Sequence, residues 1–244
     1  MSLDFDGVDD IVDFGDPAGV DGATALSILW WENEDTLVTG ESHWIKLAVG
    51  TNHTFRLRND NTTSSIMVFE TTVDNYGSSA SGAIIAGRWT HWAYVYNGGG
   101  AANADRLKMY KDGVEQSLTF TGTIPASLFD AGANTIRFGG HASADGFVDM
   151  KAGHVKLFTT NLSAAEVGQE VMRYRPVRRT NLIIWSPCDD GVRARDYSGN
   201  SNHGTVTGAL TTGGPPQIPH PERFIAQKHR HGGLGLWGHR VLVK

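Results

Sequence analysis

The stretch Gly87-Arg-Trp-Thr-His-Trp-Ala-Tyr-Val-Tyr-Asn97, with its continuation Arg106-Leu-Lys-Met-Tyr-Lys-Asp-Gly113, decides the fold. Its first half is dense in aromatic and β-branched residues and stops at a glycine-rich turn, which predicts a strand. The second half sets Leu107 and Met109 against Lys108 and Lys111, then ends at Asp112-Gly113, a dipeptide suited to a two-residue hairpin. Gln116 to Thr121 reads as the returning strand, and the Gly/Ala/Asn segment between the halves reads as a mobile loop. These are antiparallel all-β units. Side chains alternate along a strand, so Trp92, Tyr94 and Tyr96 share one face. They either stack sugars in the open or fill a core; the core reading puts His91 and Val95 on the other sheet surface.

Working outward, Leu3 to Phe14 predicts two short strands around Gly7-Val8-Asp9-Asp10, and Asp16 to Gly22 a loop. Ala25 to Trp31 is nearly continuous in apolar residues, which predicts a strand covered on both faces or central in a sandwich. Further strands are expected at Thr36–Thr39, Trp44–Val49, Thr54–Arg58 and Ser65–Glu70, and a loop at Ser78–Gly82. Thr135–Phe138 and Gly153–Phe158 close the series. Short strands at such regular spacing are the signature of a β-sandwich. The period then changes. Ser163-Ala-Ala-Glu166 is a capping box, predicting one helix over Ala164–Tyr174 that ends before Pro176. Asn181–Ser186 reads as a strand and the chain beyond Asp189 as turns. From Gly213 onward, prolines and glycines leave no periodic pattern, so this arm should not fold alone.

The central stretch resembles the core of laminin-G-like, concanavalin A-like jelly rolls. Three more segments are similar to that family: Leu3-Asp-Phe-Asp-Gly-Val-Asp-Asp-Ile-Val-Asp-Phe14 to its opening strands, Val155-Lys-Leu-Phe-Thr-Thr-Asn-Leu-Ser-Ala-Ala-Glu-Val167 to its exit, and Asp189-Asp-Gly with Asp196-Tyr-Ser-Gly-Asn-Ser-Asn-His-Gly204 to a loop. In many members that loop precedes the opening strand; here it follows the exit. The resemblance spans about residues 1–212 and implies an antiparallel β-sandwich. It leaves the ligand open, because the fold hosts lectins, hydrolases and structural modules.

Composition adds bounds. The 244 residues suit one large sandwich or two small domains, and 30 glycines suit a turn-rich β protein. No run of 18 apolar residues predicts a membrane span. The first residues enter a strand with no basic leader or apolar signal core, so a cytoplasmic or virion-surface location is expected. The single cysteine, Cys188, excludes an internal disulfide and reads as a small core residue. The net charge of −5 is divided: Gly213–Lys244 carries five basic residues against one acid, leaving −9 on residues 1–212.

Several clusters are candidates for chemistry. Glu32 and Glu34 share a strand face, as a glycosidase pair would, but Thr36 stands where a third carboxylate is needed; the pair reads as a solvated strand end. Asp196, Ser198, Asn200 and Asn202 alternate oxygen ligands that could hold calcium or form an Asx-rich turn. Asp6, Asp9 and Asp10 could form an edge site. His220, His229, His231 and His239 concentrate histidine in the arm. Arg173, Arg175, Arg178 and Arg179 form a basic cluster after the helix that points to acidic protein surface rather than nucleic acid.

The expectation from sequence is therefore an all-β concanavalin A-like sandwich over residues 1–212, without catalysis, and a basic arm over 213–244. Ordering about thirty arm residues costs roughly 1–2 kcal/mol each in backbone entropy, so the arm needs a surface. Arg223, Phe224, Ile225, Lys228, Arg230, Leu236, Trp237 and Arg240 are its expected docking residues. Similar modules with trailing arms in phage structural proteins imply a virion subunit or decoration protein, homo-oligomeric or capsid-bound. The alternative is a carbohydrate-binding module, calcium-dependent or not, with a glycan as partner; neither nucleic acid nor membrane is expected.

Overall fold

The computed structural model describes residues 1–37, 42–47, 53–59, 67–72, 75–141 and 146–215. In chain order these form β1 (Ser2–Asp6), β2 (Ile11–Asp13), β3 (Ala25–Glu34), β4 (Ser42–Leu47), β5 (His53–Asn59), β6 (Met67–Thr72), β7 (Asn75–Ser78), β8 (Thr90–Asn97), α1 (Asn103–Arg106), β9 (Leu107–Lys111), β10 (Val114–Gln116) and β11 (Thr119–Thr121). There follow β12 (Ile136–Phe138), β13 (Gly140–His141), β14 (Gly146–Phe147), β15 (Asp149–Phe158), α2 (Ala164–Glu170), β16 (Leu182–Ser186), β17 (Arg193–Ala194), β18 (Gly204–Thr207) and β19 (Leu210–Thr212). One sheet runs β10-β9-β8-β3-β15-β1-β19, with β16 also paired to β15; the other runs β11-β7-β6-β5-β4-β12-β2-β18-β17. The pairings among the described residues are antiparallel.

The core lies between the sheets. Trp92, Tyr94 and Tyr96 of β8 point into it beside Trp30, Trp44, Phe55 and Phe138. Trp30 stacks on Tyr94 with ring centroids 5.6 Å apart. Each such ring buries on the order of 200 Å², so this aromatic layer carries much of the sheet-to-sheet cohesion. A second cluster covers the outer face of the first sheet: Leu29, Ala93 and Val95 lie beneath Leu162, Val167, Leu182 and Trp185. Strand β3 is therefore buried on both faces, which explains its near-continuous apolar run. Asp112 and Gly113 take positive φ at 51° and 81°, the geometry a two-residue hairpin demands.

Several expectations are corrected. The segment expected as a mobile loop after β8 holds the short helix α1 and is anchored by hydrogen bonds: Gly98 donates to the Thr24 carbonyl at 2.8 Å, and Arg106 of α1 donates to the carbonyls of Gly100 and Ile124 at 2.8 and 2.6 Å. Gly98 is required there, since an added Cβ would lie 1.9 Å from the Ala126 carbonyl oxygen. Gln116–Thr121 is not one strand: β10 ends the first sheet and β11 begins the second, so this segment crosses between sheets. Thr36 and Leu37 lie outside strand structure, and the rest of that expected strand lies outside the described residues. Ser78 ends a strand rather than opening a loop. The helix α2 stops at Glu170, four residues short, and α1 is a second, four-residue helix. The chain beyond Asp189 holds three short strands, because β18 pairs with β2 and β19 with β1. Those pairings bring Ser2 opposite Thr212, and the Ser2 hydroxyl donates to the Gly213 carbonyl at 3.0 Å. Among the described residues no helix is long and apolar enough to cross a membrane.

Candidate functional site

On the outer side of the first sheet, beside α2, four segments frame a pocket of about 420 Å³ lined by Trp31, Gly87, Arg88, Trp89, Asp112, Val171 and Met172. The parity that sends Trp92 inward sends His91 outward, and Trp31 meets the His91 ring edge-on at 5.4 Å. The Gly87 amide donates to the Glu34 carbonyl at 2.7 Å, which fixes the approach to Trp89. Arg88 donates to Asp112 at 2.7 Å, and the other Asp112 oxygen accepts the His91 amide at 2.9 Å. The hairpin residue Asp112 thus holds an arginine at the pocket mouth. The hairpin tip rests on α2, with a Cβ at Gly113 placed 3.0 Å from Val171 Cγ2. Trp89 is half-buried, while Arg88 and Met172 are exposed. The Trp31 indole N–H is buried and unpartnered among the described residues. Aromatic surface beside a fixed guanidinium–carboxylate pair suits a ligand with both apolar faces and hydroxyl groups.

Behind this wall, inside the sandwich, lies a polar cluster. Glu32 and Glu34 do share a face, but they are not a solvated strand end: they are 1% and 2% exposed, facing inward on β3. The partner responsible is His43. A register shift between Ser42 and Trp44 inserts His43 into β4, so that both His43 and Trp44 meet Trp30; such a bulge re-aims a side chain. His43 Nδ1 lies 2.7 Å from Glu32 Oε2, and Nε2 lies 3.2 Å from Glu34 Oε1. Trp30 Nε1 donates to Glu32 Oε2 at 2.6 Å, and Asn59 Nδ2 donates to Glu34 Oε2 at 3.5 Å. Burial alone would lower the His43 pKa, but the charge and hydrogen bond of Glu32, with those of Glu34, push it up to about 10. Burial raises the Glu34 carboxyl, opposed by His43.

The other candidates resolve differently. The Asp196 loop is an Asx-rich turn: its carboxylate accepts the amides of Trp185, Ser198 and Asn202 at 2.8–3.0 Å. The side-chain amides of Asn200 and Asn202 donate to the Leu182 and Ile183 carbonyls, both at 2.8 Å, so the oxygens and amides latch this loop to β16. Asp6, Asp9 and Asp10 do converge, with ligand atoms within 4.8 Å, in a pocket of about 460 Å³ also lined by Asp4 and Asp149. Burial, aided by the charges of Asp6, Asp9 and Asp4 and opposed by the Asp6 amide, raises the Asp10 carboxyl. Cys188 is buried and its thiol is pushed up to about 12, so it behaves as core. Arg178 pairs with Glu166 at 3.2 Å and Arg179 covers the Trp185 ring at 5.4 Å, both within the chain. The expected docking residues Arg223, Phe224, Ile225, Lys228, Arg230, Leu236, Trp237 and Arg240, and the arm histidines, lie outside the described residues.

The profile of the concanavalin A-like lectin/glucanase superfamily matches residues 6–168. The chain belongs to that superfamily. Its sandwich is similar to a candidate carbohydrate-binding protein from Bacteroides ovatus ATCC 8483, with a TM-score of 0.65 at 12% identity over 89% of this chain. The chain spans 61% of that protein's length. Other similar solved structures are domain 4 of AbnA, a GH43 extracellular arabinanase from Geobacillus stearothermophilus seen with arabinotriose, and a heptameric SAP-like pentraxin from Limulus polyphemus. Their TM-scores are 0.48 and 0.47 at 17% and 12% identity, covering 70% and 68% of this chain and 76% and 79% of theirs. No curated protein sequence matches it.

Within this superfamily sandwich, sequence reasoning missed Arg88, Trp89, Asp112 and His43. Trp89 carried a usable signal, since it has the parity of His91 rather than of the core face. Asp112 read only as a turn residue, and nothing near His43 marks the bulge.

Proposed function

We propose that this domain binds carbohydrate without cleaving it, and that the sugar seat is the pocket beside Trp89. The observation that carries this reading is the half-buried Trp89 next to the Arg88–Asp112 pair, in a pocket of about 420 Å³. A pyranose or furanose ring presents an apolar C–H face to an indole, and vicinal hydroxyls can both donate to Asp112 and accept from Arg88. Cleavage would need two carboxyl groups flanking an open cleft, whereas Glu32 and Glu34 are buried and share His43. The expectation of a virion subunit rested on a resemblance to phage structural proteins, the lack of a signal sequence, the acidic body and the basic arm, and the arm's expected docking residues lie outside the described residues.

The test is a glycan-array screen with the full chain, Trp89→Ala and Arg88→Ala, run with calcium and with EDTA because Asp6, Asp9 and Asp10 converge. Wild type should bind at least one glycan class, both variants should lose tenfold or more in affinity, and melting temperatures should match. Bound oligosaccharides should be recovered intact. Absence of any glycan binding, or binding that both variants retain, overturns the proposal.

A further inference from the structure

The interior Glu32–His43–Glu34 cluster has a chemistry that sugar binding does not use. Its hydrogen bonds fix most of the protons. Glu32 Oε2 accepts from the Trp30 indole, and a carboxylate oxygen can only accept from the ring as well, so His43 Nδ1 carries hydrogen. Nε2 faces Glu34 Oε1 at 3.2 Å, an ion-pair contact for a protonated ring but outside good hydrogen-bond geometry, so a cation there would take the place of the Nε2 proton. Glu32 Oε1 and Asn59 Oδ1 are also buried and unpartnered, on residues 1% and 2% exposed. Four unsatisfied acceptor or ring atoms in one interior site are costly in a folded protein. One carboxylate, Glu32, already orients the imidazole through Nδ1, the arrangement that commonly supports a metal-ligating histidine.

We propose that this cluster binds one divalent zinc-class cation through His43 Nε2 and Glu34 Oε1, with Glu32 Oε1 and Asn59 Oδ1 completing the site. The candidate ligand atoms of Glu32, Glu34 and His43 lie within 4.8 Å of one another. The 3.2 Å separation of Nε2 and Oε1 matches the edge of about 3.3 Å in a tetrahedron with zinc bonds of about 2.0 Å. The donor set of imidazole and carboxylate oxygen suits zinc, and the dication offsets two buried carboxylates. Because Glu32 and Glu34 sit on β3 of one sheet and His43 and Asn59 on β4 and β5 of the other, the ion ties the two sheets together. In a chain with one cysteine, this supplies a cross-link that a disulfide cannot.

The experiment uses the full chain, stripped with EDTA under mild denaturation, refolded with or without Zn²⁺ and desalted. Metal content is read by elemental analysis and stability by melting temperature. Wild type should retain one zinc per chain and melt about 5–10 °C higher than the zinc-free form. Glu34→Gln and His43→Gln should retain none, while His229→Asn/His231→Asn, in the arm, should retain one. X-ray absorption of the wild-type zinc form, which needs no variant to fold, should show nitrogen and oxygen ligands with a single imidazole. Zinc-free wild type after refolding with Zn²⁺, zinc lost only from the arm variant, or a spectrum with two or more imidazoles would each overturn the proposal.

Discussion

His91 offers a quantitative test of the second, outer core. It sits on β8 at 2% exposure, against Trp31, with His154 and Lys156 of β15 near it and Lys156 paired to Glu170 of α2. Burial first, then the charges of Lys156 and His154, hold its pKa down from 6.5 to about 3. The folded chain therefore keeps the imidazole neutral, while the unfolded chain takes up a proton below pH 6.5. A depressed histidine contributes stability that is fully present above the unfolded value and is lost as pH falls toward the folded one. The slope in that window averages a little over about 1 kcal/mol per pH unit, so the loss from pH 6.5 to 4.5 is about 2 kcal/mol. His91→Phe keeps a flat ring and removes the titration. Urea unfolding of wild type and His91→Phe at pH 7.5, 6.5, 5.5 and 4.5 measures the difference, in which carboxylate titrations common to both cancel. The variant should gain on wild type by about 2 kcal/mol between pH 6.5 and 4.5. A difference constant to within about 0.5 kcal/mol, the usual scatter of independent terms, would refute the claim that His91 is buried and neutral.

Glu170→Ala should be among the most damaging changes beneath α2. It strands the Lys156 ammonium, which is 2% exposed and otherwise donates to the Arg173 carbonyl at 2.8 Å; a loss of about 3–5 kcal/mol is expected, read by urea unfolding. Cys188 should resist a thiol reagent such as DTNB at pH 8 in the native state and react with one equivalent in 6 M guanidinium, since its thiol is buried and pushed up to about 12. Rapid native labelling would show that the β16 end opens readily.

The strands were legible where tertiary packing agrees with local pattern. In β8 the alternation separated Trp92, Tyr94 and Tyr96 from His91 and Val95 without saying which face is core, and in β3 the apolar run announced two coverings. The pattern failed where an element is defined by its partner. Strands β17 to β19 are two to four residues long and carry little pattern of their own; they acquire strand geometry through pairing, β18 with β2 and β17, and β19 with β1. Glu32 and Glu34 looked like surface because charged residues almost never sit inside unpaired, and the pair that permits it comes from His43, across to the opposite sheet through a bulge. The pocket beside Trp89 draws on β3, the approach to β8, a hairpin tip and the end of α2, a convergence that no linear spacing records.

The pairing of β1 with β19 has a consequence for how this architecture can be rearranged. Ser2 lies opposite Thr212, so the first strand and the last of the described strands are neighbours in one sheet. The segment around Asp196, which in similar domains stands ahead of the opening strand, here stands behind the exit, yet its strands still lie against β2 and β1. Moving that segment ahead of β1 requires only a join between β19 and β1, which already lie side by side, and a cut in the connection after β16. Every ladder survives the operation. The spatial plan is thus indifferent to the point at which translation enters it, and gene order can be permuted while the sandwich stays the same.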